Sequence, residues 1–283
     1  LRRAGSEGVE MHRLIPVLAA LAVSTAALAS DRFNLEACAD PGLQPADTVQ
    51  FCQKALQDRS MQPKVRAQVL VTLGVALADV GRHSDAVTNY RLAQLSDPSL
   101  MPAYTNSALS NEALGRVQEA LVDYASAITQ NRRWVDAWAG RGALLLRQGR
   151  PDQALADLGE ALKLDAGNSR VRYNRGLAAI AAGDPAGAES DFTDLIRRSP
   201  EDAGAFLNRG RARAALRRER DAEADLTKAI QLSPEWGWAH FVRGRFFDSQ
   251  RETERADADF LRAYELGFSN TWLLERVRKI SGS

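Results

Sequence analysis

Between Ala67 and Asn270 the sequence repeats itself every 34 residues, six times without a gap. A period of that length is the mark of a unit of two helices and a turn, which buries its apolar face only by stacking on its neighbours. The blocks are 67–100, 101–134, 135–168, 169–202, 203–236 and 237–270. Their eighth slot reads Gly74, Ala108, Gly142, Gly176, Gly210 and Gly244. The twentieth is alanine throughout, at Ala86, Ala120, Ala154, Ala188, Ala222 and Ala256. The twenty-fourth is large, at Tyr90, Tyr124, Leu158, Phe192, Leu226 and Phe260. Within each half-block apolar residues recur at helical spacing, as in Ala154, Leu155, Leu158, Ala161 and Leu162.

Each slot has a physical reason. Small residues at slots eight and twenty let two helices cross closely. The bulky fourth slot (Leu70, Tyr104, Trp138, Arg172, Phe206, His240) can fill space beside the large residue at slot twenty-four. Gly81, Gly115, Gly149 and Gly183 stand where the first helix must stop and reverse, a position suited to a left-handed residue. Arg217 and Arg251 replace that glycine in the last two blocks, which predicts an altered turn there. Pro98, Pro200 and Pro234 follow Asp97, Ser199 and Ser233, a pattern of N-cap and first-turn proline that would open the next block's first helix.

With these slots recurring in every block, the chain resembles the tetratricopeptide-repeat family, in an exported bacterial form. The resemblance implies an all-α fold, a right-handed α-solenoid of six 34-residue repeats over 67–270. A degenerate helical hairpin is expected over 30–66 and a C-terminal capping helix over 271–283.

The ends carry further signals. Met11–Ala29 reads as a secretory signal: His12 and Arg13, an apolar run from Leu14 to Leu28, and the small-x-small site Ala27-Leu28-Ala29. Residues 1–10 do not fit ahead of such a signal, so Met11 is the expected start and Ser30 the expected mature N-terminus. Export points to the periplasm, with secretion as the second choice. Residues 1–29 hold three of the 37 basic and two of the 36 acidic side chains, leaving 34 of each, so charge gives no reason to expect a nucleic acid or membrane partner. Both cysteines, Cys38 and Cys52, follow the signal, and an exported chain with two cysteines is expected to join them, two buried thiols being the alternative.

Slot seven reads Arg141, Arg175, Arg209 and Arg243 in the last four blocks, and slot twenty-three reads Asp123, Asp157, Asp191, Asp225 and Asp259 in the last five. The pattern predicts ion pairs Arg141–Asp157, Arg175–Asp191, Arg209–Asp225 and Arg243–Asp259. An arginine row for an anionic ligand is the other reading. The family resemblance also implies a concave groove lined by first helices. Candidate residues for a peptide or partner there are Asn106, Tyr173, Asn174, Leu177, Asn208, Arg211, Trp238, Phe241 and Arg245. The aromatics would anchor apolar side chains, the asparagines would hold a peptide backbone, and the arginines would attract a carboxylate. The neighbours of Asn174 and Asn208 do not match the carboxylate clamp of chaperone-binding repeats.

No metal-ligand cluster and no phosphate loop is present in the sequence, so no catalytic residue, metal or cofactor is expected. The Arg-rich stretch 209–220 is followed at once by acids and reads as a salt-bridged surface. The expected function is that of an exported scaffold for a protein or peptide, with no nucleic acid or small-molecule substrate and with membrane contact only through a partner. The alternative is a structural subunit of an envelope complex, associating through the array ends or the convex face.

Overall fold

The computed structural model describes residues 29–282. The signal segment expected over 1–29 lies, but for its last residue, outside the described residues. Among these residues the chain is all helical, and it divides between Leu144 and Leu145 into two compact units, each a segment of α-solenoid. The N-terminal unit contains α1 (Ala29–Cys38), α2 (Pro45–Ala55), α3 (Pro63–Asp79), α4 (His83–Ser96), α5 (Met101–Ala113) and α6 (Val117–Gln130). The boundary falls within α7 (Val135–Arg147). The C-terminal unit contains α8 (Pro151–Leu164), α9 (Ser169–Ala182), α10 (Pro185–Arg198), α11 (Ala203–Ala215), α12 (Glu219–Leu232), α13 (Gly237–Ser249), α14 (Thr253–Glu265) and α15 (Thr271–Ser281). Blocks two to six each open on the first residue of a helix.

The eighth-slot glycine makes room for the twenty-fourth-slot side chain of the same repeat. A Cβ on Gly74 would lie 2.4 Å from Tyr90, one on Gly176 would lie 2.7 Å from Phe192, and one on Gly244 would lie 2.7 Å from Phe260. The alanine at slot twenty completes the crossing, since the same Gly244 Cβ would lie 3.2 Å from the Ala256 carbonyl. Tyr90, Tyr124, Phe192 and Phe260 are accordingly among the largest fully buried side chains.

In the N-terminal unit, Leu35 and Cys38 of α1 and Cys52 and Ala55 of α2 join Val69, Leu70 and Leu73 of α3 in one core cluster. The hairpin thus covers the apolar face of the first repeat. A disulfide joins Cys38 to Cys52 within that core. At the other end Leu273 of α15 is fully buried against Phe260 and Ala263 of α14. Asn270 caps α15 by accepting from the Leu273 N–H at 2.8 Å.

Two expectations are corrected. Arg217 and Arg251 do not alter their turns: their φ angles are 61° and 63°, the left-handed conformation that Gly81, Gly115, Gly149 and Gly183 adopt. The reversal is set by the flanking helices, and the arginines accept its strain. Asp97, Ser199 and Ser233 are not N-caps. They end α4, α10 and α12, and the next helices begin four residues later. A proline disfavours helix in the residue before it, so Pro98, Pro200 and Pro234 act as stops for the preceding helix. The N-cap, where a side chain supplies one, is a later residue: Asn168 for α9 and Asp202 for α11.

Two outcomes follow. Replacing both cysteines by alanine should lower the stability of the N-terminal unit by roughly 3 kcal/mol, the loop-closure value for a bridge of this span, read from urea denaturation with and without reductant. Arg217→Gly should raise stability by about 0.5–1 kcal/mol, because the left-handed cost of a side chain exceeds the entropic cost of glycine. A thermal melt of this variant that is unchanged or lower would contradict the strain assigned to that turn.

Candidate functional site

The slot-seven arginines and the groove candidates Arg211 and Arg245 take different roles once placed. Arg175 donates to Asp191 through Nε at 2.8 Å and Nη2 at 2.5 Å. Arg209 meets Asp225 through two bonds of 2.8 Å. Arg243 meets Asp259 at 2.8 and 2.9 Å. Each guanidinium of the first helix therefore grips a carboxylate of the second with two parallel bonds, the strong geometry for this pair. The three acids are buried. Bonding to Asp191 pushes the Arg175 guanidinium above its ordinary range. Arg141 lies in the N-terminal unit and Asp157, also buried, in the C-terminal unit.

Asp191, Asp225 and Asp259 each have a second donor that the pairing alone did not reveal. Arg172 reaches Asp191 at 3.5 Å, and it also lies 3.0 Å from Asp194. Arg213 reaches Asp225 at 2.9 Å. His240 Nδ1 lies 3.1 Å from Asp259. In the second repeat, which has no arginine at slot seven, Ser107 and Asn111 donate to Asp123 at 2.6 and 2.9 Å. Burial pushes the Asp123 carboxyl above its ordinary range, against the lowering effect of those two donors. The second donor comes from slot four (Arg172, His240) or slot eleven (Asn111, Arg213). Polar residues at these otherwise apolar slots were the signal.

The remaining arginines belong to a different surface. Asn208 Nδ2 donates to the Tyr173 hydroxyl at 2.9 Å, and Arg211 donates to Asn208 Oδ1 at 2.9 Å. This chain of bonds runs from α9 to α11 and holds the Arg211 head group. Beyond it, Arg211, Ala214, Leu226, Trp238, Phe241, Val242, Arg245, Phe246 and Ser249 line a cavity of about 310 Å³. Its floor is apolar. Trp238 stacks on Phe241 with centroids 5.4 Å apart, and both rings touch Phe268, at 5.3 and 5.0 Å. Trp272 of α15 meets Phe241 edge-on at 5.9 Å and carries the Arg245 guanidinium 4.7 Å from its ring centroid. Arg245 is exposed.

Tyr173, Asn208, Arg211, Trp238, Phe241 and Arg245 thus form a continuous run. The structure buries Asn174 and Leu177 within α9 beside it, with 2% and 7% of their surface exposed. The Asn174 Oδ1 has no hydrogen-bond partner among the described residues. Asn106 is wholly buried in α5 of the N-terminal unit. The expectation that the asparagines stand open to a peptide backbone does not match this burial. Packing between adjacent first helices takes them in. Among the described residues no group of acids, histidines or cysteines could hold a metal ion, and no helix is long and apolar enough to cross a membrane.

Comparison with known proteins places this arrangement. A tetratricopeptide-repeat family model matches residues 139–203 and, overlapping, 173–235. No curated protein sequence matches the chain significantly. Among solved structures, a tetratricopeptide repeat protein from Parabacteroides merdae is 22% identical, with 88% of this chain and 98% of that one aligned at a TM-score of 0.62. YrrB, a protein of the same repeat type with an unusual peptide-binding site, is 23% identical over 66% of this chain and 95% of its own, at 0.58. Pseudomonas aeruginosa pilF is 20% identical over 76% and 98%, at 0.61. At these identities the structural likeness speaks for the fold.

The ladder gives a direct outcome. Arg209→Met should cost about 3 kcal/mol, because it strips a buried carboxylate of its main partner. The double variant Arg209→Met with Asp225→Leu should lose less than the single one. A double-mutant cycle by chemical denaturation measures this, and additive losses would show that the pair does not act as a unit.

Proposed function

We propose that this chain, a tetratricopeptide-repeat protein, is an exported scaffold that holds an extended peptide of a partner protein along the first helices of its last three repeats. Interaction with proteins or peptides is the general role of such arrays. The finer reading rests on one observation: the bonded run Tyr173–Asn208–Arg211 leads directly into the cavity bounded by Trp238, Phe241 and Arg245. Asn208 is itself buried and serves as the support behind Arg211, so the aromatic pocket with its charged rim is what gives a peptide register and an anchor.

Export is supported by the signal-like segment of the sequence and by the Cys38–Cys52 disulfide, since such bonds persist in oxidising compartments. The periplasm is the proposed compartment. The fold and the absence of any catalytic constellation in the sequence favour binding over chemistry.

A second reading has one observation in its favour. Leu92 and Leu95 of α4 and Val122 of α6, all on second helices, are 46%, 80% and 63% exposed. Apolar side chains left in water on that side would suit association of the array within an envelope complex.

The test compares proteins captured from an envelope extract by the mature chain and by an Arg211→Ala/Trp238→Ala variant with an unchanged far-ultraviolet spectrum. Loss of specific partners from the variant is expected. Identical partner profiles would remove the peptide-track reading and leave association through the second helices.

A further inference from the structure

The cavity at the end of the track is built to read more than shape. Its floor and walls are Ala214, Leu226, Trp238, Phe241, Val242 and Phe246, and its rim carries two guanidiniums, Arg211 and Arg245, with Ser249 as the small polar edge. A volume of about 310 Å³ lies at the small end of ligand pockets, roughly 300–1,000 Å³. It suits one large apolar side chain and is small for a dinucleotide or other extended cofactor.

Arg245 differs from the arginines of the ladder. Arg175, Arg209 and Arg243 spend their donors on buried aspartates. Arg211 is oriented by the Asn208 amide, itself fixed by the Tyr173 hydroxyl. Arg245 is exposed and has no carboxylate partner among the described residues. It is held in place by the face of Trp272, whose helix closes the array. A guanidinium stacked on an aromatic ring keeps its outward N–H donors available and needs little ordering on binding. The site thus presents an apolar hole beside preset positive charge.

We infer that this cavity selects an internal peptide segment in which a large apolar side chain stands within two residues of an aspartate or glutamate. The apolar side chain enters between Trp238, Phe241 and Phe246. The neighbouring carboxylate lies on the rim against Arg245, with Arg211 on the other side. The capping helix α15 is part of the specificity device, because Trp272 sets the position of Arg245. This inference rests on the peptide-track reading and adds the chemistry of the segment that the track would hold.

The test uses the full mature chain and a displayed library of random twelve-residue segments flanked on both sides by fixed linker, so that neither peptide terminus is free. An enriched segment is then synthesised with both ends blocked. It is titrated by calorimetry against the parent chain and against Arg245→Glu, Ser249→Trp and Tyr173→Ala/Asn208→Ala. Arg245 and Ser249 are exposed, so those two variants should keep the parent melting profile. The expected result is a consensus of a large apolar residue beside Asp or Glu. Its affinity should fall about tenfold or more in Arg245→Glu, as when a charge pair is reversed. It should recover when the peptide acid is changed to lysine, and it should vanish in Ser249→Trp, where the indole fills the hole.

Enriched segments without an acid, segments that need a free C-terminus, or affinities untouched by Arg245→Glu and Ser249→Trp would overturn the inference. If those same segments still weaken in Tyr173→Ala/Asn208→Ala, the peptide track survives without the acidic selectivity. Failure to enrich any segment, or indifference to every variant, would overturn both.

Discussion

A carboxylate buried to a few per cent of its surface cannot stay ionised unless charged or polar donors surround it. Asp191, Asp225 and Asp259 each occupy that position on the second helix of a repeat, and the first helix answers with a bidentate arginine. Two parallel bonds between planar groups fix distance and angle together. In these three repeats the pair fixes the two helices beside the point where the eighth-slot glycine meets the twenty-fourth-slot side chain. A buried pair of this kind adds little net stability over apolar residues, yet breaking it on one side is costly. Its consequence is a repeat whose internal geometry is specified, so the first helices are held in a defined register for whatever lies on them.

The same constraint sorts the arginines by role. Arg175, Arg209 and Arg243 spend their donors on the ladder. Arg211 and Arg245 project from the same first helices, two residues further along, and stay out of it. The distinction is one of helical phase: a shift of two residues turns a side chain through roughly 200° about the helix axis, from the partner helix to the opposite face. Arg209 and Arg211, two residues apart in an arginine-rich run, thus belong to a structural pair and to the candidate pocket. The aromatic cluster at Phe241, Phe268 and Trp272 ties that pocket to the closing helix α15. Packing and charge thus meet at the pocket beside α15.

Much of this was legible in the residues because a repeat supplies its own comparison set. Gly74, Gly176 and Gly244 at one slot and Tyr90, Phe192 and Phe260 at another announced a close crossing, and the joint appearance of Arg and Asp announced their contact. What escaped notice were residues that break the repeat. Arg172 and His240 stand at a bulky slot, and Arg213 and Asn111 at a slot otherwise filled by Leu, Ala or Phe; each supplies the acid of its repeat with a further donor. Arg217 and Arg251 looked like altered turns, but local preference yielded to the demand of two packed helices for a left-handed residue. The asparagines are expected to hold a peptide backbone, whereas Asn174 and Asn208 are 2% and 4% exposed. Depth within one face is set by tertiary packing, which sequence periodicity does not encode.

Asp191, Asp225 and Asp259 each hold their own pair of helices. Hydrogen–deuterium exchange on the Asp259→Ala variant tests this most directly, because stacked repeats open locally and exchange reports each helix separately. Amide protection should fall in α13 and α14, where Arg243 and His240 lose their shared acceptor, and should hold in α9 and α10. Protection in α13 and α14 equal to that of the parent would contradict the account.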